Sequence, residues 1–120
     1  MTPRIETFLA DQRPATPCLV MDLDMVRENY LALARSLPQA RIFYAMKANP
    51  APQIMSMLAE MGSSFDTASI YEIREALAAG APASRISFGN TVKKQSDIAA
   101  AYALGVRLFA FDSQGELEKL

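Results

Sequence analysis

A chain of 120 residues is long enough for one small domain with a core, and a composition of 51% hydrophobic and 21% charged residues is an ordinary globular mix. A net charge of −1 offers no electrostatic case for nucleic acid or an anionic membrane. There is no histidine and only one cysteine, Cys18, which excludes Ser-His-Asp and Cys-His sites, imidazole zinc sites and any Cys-x-x-Cys pair from these residues, so chemistry here must rest on Lys, Asp, Glu, Tyr or a cofactor.

No apolar run approaches membrane-spanning length, and the first ten residues carry no signal-peptide core, so a cytoplasmic protein is the expectation. Residues 1–16 are polar and proline-interrupted and read as an arm or short helix. Residues 18–22, Cys-Leu-Val-Met-Asp, read as a buried strand. Asp24 is placed to cap the helix that follows, where Val26, Tyr30, Leu33 and Leu37 share one face until Pro38 ends it.

From Arg41 a unit repeats. Residues 41–47 form a strand ending in Lys47, with Asn49 as helix cap and Pro50 as first helical residue. Ile54, Met57, Leu58 and Met61 make a helical stripe stopped by Gly62. Residues 64–68 are a short strand; Ser69 and Glu72 form a capping box for a helix carrying Ile70, Ile73 and Leu77 and ending at Gly80. Residues 85–89 are a strand, followed by a helix from about Lys93 that carries Ile98 and Tyr102 and stops at Gly105. Residues 107–112 are a strand, and Ser113 with Glu116 repeats the capping box.

Ile42, Phe65, Ile86 and Leu108 mark equivalent strand points, a period of roughly 22 residues, one βα unit. Such alternation predicts an α/β fold with a parallel sheet and right-handed crossovers. A doubly wound sheet would carry Gly-x-Gly-x-x-Gly after its first strand, which is absent; the alternative is part of a (β/α)₈ barrel, of which four units are about half. The chain is expected to be the N-terminal part of a longer protein.

A barrel puts its chemistry at the C-terminal strand ends, which here carry Lys47, Asp66, Asn90 and Asp112. An ammonium is costly to bury at the end of an apolar strand, and desolvation favours the neutral, nucleophilic amine. Strand alternation gives Lys47 the same face as Phe43 and Ala45, so small Ala45 leaves room beneath it for a flat ligand, and Asp66 on the next strand can neutralise or orient the amine. Each residue also has a plainer explanation. A lone strand-end lysine is usually solvated; Asp66 and Asn90 are also turn residues, and Asp112 is better explained as the cap of its own helix. Glu72 and Glu116 are capping-box partners, Tyr44 packs against helices, Lys93 and Lys94 are a solvated helix start, and the seven methionines are core filler.

Four motifs in register are more specific. Phe43-Tyr-Ala-Met-Lys-Ala-Asn49 resembles the Tyr-Ala-Val-Lys-x-Asn segment of the fold-type III pyridoxal-phosphate (PLP) decarboxylases, which act on ornithine, lysine, diaminopimelate and arginine. Phe65-Asp66-Thr-Ala-Ser69 with Glu72 is similar to that family's Phe-Asp-x-Ala-Ser-x-x-Glu. Residues 85–93 resemble Arg-Ile-x-x-Ala-Asn-Pro-x-Lys, and residues 111–117 resemble Phe-Asp-Ser-x-x-Glu-Leu. Gly89 departs from the pattern's Ala, Thr91-Val92 from the ornithine-type Pro-Cys, and Ala48 after Lys47 is closer to the diaminopimelate type.

The resemblance implies the N-terminal half of an alanine-racemase-like (β/α)₈ barrel, with a second β-rich domain in the full-length protein. Residues 39–120 would be its first four units, and residues 1–38 an arm, strand and helix associated with the β-domain. It implies PLP as cofactor, Lys47 as the internal-aldimine lysine and Asp66 close to that lysine and the cofactor, with Ala45 added to the cofactor site by the strand alternation above. It further implies decarboxylation of a basic amino acid, ornithine or lysine first, to putrescine or cadaverine in polyamine biosynthesis, by a homodimer with no membrane or nucleic-acid partner. Diaminopimelate or arginine decarboxylation, a racemase or aldolase of the same fold, and a non-catalytic homologue are the alternatives. The isolated 120 residues are expected to be inactive.

Overall fold

The computed structural model describes residues 1–120, and the chain divides into two compact units, Met1–Pro38 and Gln39–Leu120. No helix is long and apolar enough to cross a membrane.

The first unit holds two helices, α1 (Pro3–Gln12) and α2 (Leu23–Ser36). Thr2 caps α1, its hydroxyl accepting from the Ile5 N–H, and Pro3 takes a first-turn position where no N–H is needed. The expected strand over residues 18–22 does not form. A strand is defined by a neighbour's ladder, and this segment lies outside the chain's one sheet, with Cys18 exposed and Leu19 79% exposed. The cap of α2 is Asp22 rather than Asp24: the Asp22 carboxylate accepts from the Asp24 N–H at 3.1 Å, so the helix begins two residues early. The two caps join, Thr2 Oγ1 donating to Asp22 Oδ2 at 3.0 Å, and Arg4 pairs with Asp24.

The second unit is a four-stranded parallel sheet in the order β1 (Phe43–Ala45), β2 (Ser64–Thr67), β3 (Ile86–Phe88), β4 (Leu108–Phe109). The strands are linked through α3 (Pro52–Glu60), α4 (Ile70–Ala78) and α5 (Gln95–Ala103), and α6 (Gln114–Leu117) follows β4. All three linking helices end in the same way. Gly62, Gly80 and Gly105 have φ of +89°, +96° and +97°, and the N–H of the residue after each returns to the third-last helical carbonyl: Ser63 to Leu58, Ala81 to Ala76, Val106 to Ala101. This Schellman closure turns the chain back toward the sheet, and Ser63, Ala81 and Val106 are all buried there. The repeat read from sequence is thus a repeat of helix stops as well as of strands.

The core lies between the helices and one face of the sheet. Phe65, Ile86 and Phe88 come from the strands; Met55, Leu58, Ile73 and Ala101 come from α3, α4 and α5. Phe65 pairs in register with Ile86, but Leu108 pairs with Ser87, one place away from the expected alignment. A slip of one residue reverses the face, so Leu108 projects away from the core and is 52% exposed. Tyr102 is likewise exposed, stacked under the Arg107 guanidinium at 3.8 Å, and Ala101 takes the buried position instead. Helix α3 starts at Pro52, not Pro50: Asn49 Oδ1 accepts from Ala51 N–H in a turn of its own, leaving Ala51 as the cap.

Candidate active site

Three strand ends meet in a cleft of about 140 Å³ lined by Lys47, Asp66, Thr67, Ala68, Glu72, Gly89 and Asn90. It lies where a parallel α/β sheet places its chemistry, beyond the carboxyl ends of the strands.

Strand β1 stops at Ala45, and Met46–Ala48 make one turn of 3₁₀ helix. Lys47 therefore sits on that turn rather than on the strand, and the alternation that put it on one face with Phe43 and Ala45 ends before it. Met46 is fully buried and anchors the turn, while Lys47 is exposed. The desolvation expected of a strand-end amine is not supplied by these residues. No hydrogen bond or ion pair engages Nζ, so the amine is accessible at the rim. Tyr44 fixes the far side of the turn. Its hydroxyl donates to the Asn49 carbonyl at 3.0 Å, its ring meets Phe65 edge-on at 6.4 Å, and burial pushes the phenol above its ordinary pKa.

Asp66 ends the accessible face of β2. Its register partners are Ala45 on one side and Ser87 on the other, so the three side chains share the face opposite the core. Ser87 Oγ lies 2.8 Å from Asp66 Oδ1. Ala45 neighbours Asp66 but does not line the cleft. Behind them Thr67 is buried, its hydroxyl donating to the Ser87 carbonyl at 2.6 Å and tying β2 to β3. Glu72 fills the capping role expected of it with a small change: Ser69 Oγ accepts the Glu72 N–H at 3.2 Å, while the Glu72 carboxylate accepts from Ala68 N–H at 2.6 Å. That brings a second carboxylate to the cleft wall, alongside the positive end of α4.

Asn90 lines the cleft and also closes its own turn, its amide donating to the Val92 carbonyl at 2.8 Å. Asp112 is outside the cleft and exposed. It does not cap α6 either, because Ser113 does.

The largest departure from the sequence reading is Lys93. It is not a solvated helix start but 4% exposed, and α5 begins two residues later. Its ammonium donates to the carbonyls of Asn90 (2.9 Å), Thr91 (3.0 Å) and Ala110, which uses all three of its protons. Its backbone N–H donates to Glu116 Oε2 at 3.1 Å, and Glu116 also pairs with Lys119. Glu116 is thus a buried clamp besides being a capping-box residue. The Lys119 ammonium holds its carboxyl below the ordinary value, against burial, with the Lys93 N–H adding to the effect. Lys93 and Glu116 fasten the loop bearing Asn90 to the ends of β4 and α6. The signal available in sequence was spacing: a lysine four residues after a strand-end glycine can fold its stem back over the strand, where carbonyls converge.

The residues fit an aldehyde cofactor. An accessible primary amine stands in one cleft with a carboxylate fixed by a neighbouring hydroxyl and seated where Gly89 has no side chain. The cleft is smaller than the roughly 300–1,000 Å³ of a complete ligand pocket, so it forms one wall of such a site.

Comparison with known proteins bears on the family and the fold. The family described as pyridoxal-dependent decarboxylase, pyridoxal binding domain, matches residues 23–120. A lysine/ornithine decarboxylase of Selenomonas ruminantium is 45% identical over 109 residues, 91% of this chain and 28% of that protein. The crystal structure of lysine decarboxylase from the same organism superimposes with a TM-score of 0.86 at 43% identity, covering 99% of this chain and 32% of that one. A lysine/ornithine decarboxylase from Vibrio vulnificus, solved with putrescine, gives a TM-score of 0.86 at 34% identity over 97% of this chain and 31% of its own. The chain therefore spans about a third or less of the proteins it matches.

Proposed function

Because this chain belongs to the pyridoxal-dependent decarboxylases, through their pyridoxal-binding domain, we propose that the full-length protein removes the α-carboxylate of a basic amino acid, ornithine or lysine, giving putrescine or cadaverine for polyamine synthesis. The fold is the N-terminal α/β part of that family's barrel. The observation that carries the reading is the meeting of Lys47 and Asp66 in one cleft at the strand ends.

In this reading Lys47 Nζ would hold pyridoxal phosphate covalently with Asp66 beside it, while Ala45, the register neighbour of Asp66, stands outside the cleft lining. When bound, the cofactor supplies the electron sink that lets a carbon–carboxylate bond break with release of CO₂. The chain's own residues do the rest of the local work. Lys47 would hold the cofactor through Nζ, which its exposed position on the 3₁₀ turn leaves accessible. Asp66 sets a fixed negative charge beside the cationic groups that enter the cleft. The Lys93–Glu116 clamp holds the Asn90 wall in place. Residues 1–38 belong, in the same reading, with a β-rich second domain, and the protein works as a cytoplasmic homodimer.

The test uses the full-length protein. Lys47→Ala is expected to abolish borohydride-fixable cofactor and to cut turnover of ornithine and lysine by about 10³-fold or more, followed by CO₂ release across ornithine, lysine, arginine and diaminopimelate. Cofactor still fixed at another lysine, or inversion of the α-carbon without CO₂, overturns the proposal.

A further inference from the structure

We propose that Ser87 and Gly89 are positioning residues that set where the Asp66 carboxylate stands in the cleft, and that glycine at 89 is the condition for that placement. The inference rests on the cleft's assignment to the cofactor made above.

Asp66 and Ser87 are register partners, so their side chains leave the sheet from the same face. Ser87 is 7% exposed, and its Oγ lies 2.8 Å from Asp66 Oδ1 and 3.4 Å from the Phe65 carbonyl. A hydroxyl has one proton to give, and the shorter contact to the charged acceptor takes it. Oδ1 is thereby tied down toward β3.

Gly89 makes this position possible. The next strand-end residue after Phe88, it is held to β2 by its N–H, which donates to the Thr67 carbonyl at 2.8 Å. A Cβ on Gly89 would stand 2.0 Å from Asp66 Oδ1, 2.8 Å from Cγ and 3.0 Å from Oδ2. The carboxylate occupies the volume that any other side chain at 89 would fill. The obstructing atoms are the end of a short side chain, not backbone, so a methyl group at 89 displaces the carboxylate by side-chain rotation and leaves the fold standing. The effect is on where the charge sits. The Ser87–Gly89 pair thus fixes the carboxylate on the wall of the cleft that also holds Lys47.

The experiment is a double-mutant cycle in the full-length protein: Gly89→Ala and Ser87→Ala, each made with Asp66 intact and with Asp66→Ala. Two quantities are read, the dissociation constant of pyridoxal phosphate from the apoprotein and the thermal midpoint of the apoprotein. With Asp66 present, Gly89→Ala is expected to weaken cofactor binding by roughly 10–100-fold, and Ser87→Ala to weaken it by less. With Asp66→Ala, both substitutions should change affinity by less than about twofold. Equal effects of Gly89→Ala in both backgrounds would mean backbone damage and would overturn the inference. If Asp66→Ala alone leaves cofactor affinity unchanged, the assignment of Asp66 to the cofactor fails. The thermal midpoints then decide the positioning claim separately, since coupling between 89 and 66 upholds it and strict additivity overturns it. Should Gly89→Ala fail to fold, the Ser87→Ala pair decides in the same way.

Discussion

Helices α2 and α4 carry equally regular apolar faces and meet different fates. In α2, Val26, Tyr30 and Leu33 fall on one stripe, yet no residue of that helix is buried, and Leu33 is 46% exposed. In α4, Ile70, Ile73 and Ala76 are buried. Every buried residue of the chain lies in Gln39–Leu120, where a sheet stands opposite the helices. The first unit is held instead by polar contacts at helix ends: Thr2 with Asp22, Arg4 with Asp24. Periodicity states which face a helix would bury. It does not state whether a surface is there to receive it.

The sharpest way to break this contrast is to remove a side chain from the centre of the second unit. Phe65 is fully buried on β2 and meets Tyr44 edge-on. Phe65→Ala is expected to cost about 3–5 kcal/mol in denaturant unfolding, because the cavity sits between sheet and helices that cannot collapse onto it. A cost under about 1 kcal/mol would show that the sheet face is not the source of stability.

Smaller and dependent on pH is the effect of the Glu116 clamp. Its carboxyl is held down in the folded state, so its contribution is present above the ordinary carboxylate range and disappears as pH falls through the lowered value. Thermal midpoints followed from about pH 6 to pH 3 should therefore fall less steeply for Glu116→Gln than for the parent. Parallel curves would mean that the clamp contributes nothing through its charge.

The smallest effect belongs to the first unit. Leu33→Ala should change unfolding free energy of the 120-residue chain by no more than about 0.5 kcal/mol, as for other exposed positions. A loss comparable to that at Phe65 would erase the distinction between the two helices.

What could be read from the residues was whatever depends on local chemistry. Glycine stops at 62, 80 and 105, the Ser69 and Ser113 caps and the β–α alternation all follow from neighbours in sequence, and the structure carries each of them. Of the four strand-end residues grouped from sequence, Lys47, Asp66 and Asn90 meet in the cleft and Asp112 does not, since parallel strands bring their carboxyl ends to one side of the sheet. The decisions left to tertiary structure were those that need a partner from another part of the chain. The segment 18–22 has strand composition but no ladder; Leu108 slips one register place and faces out; Lys47 leaves its strand on a 3₁₀ turn. Lys93 is buried because three carbonyls from two loops accept its protons, and Gly89 matters because a carboxylate from β2 fills its missing side chain. A sequence records what each residue can donate, accept or bury, but only the folded arrangement supplies the atom on the other side.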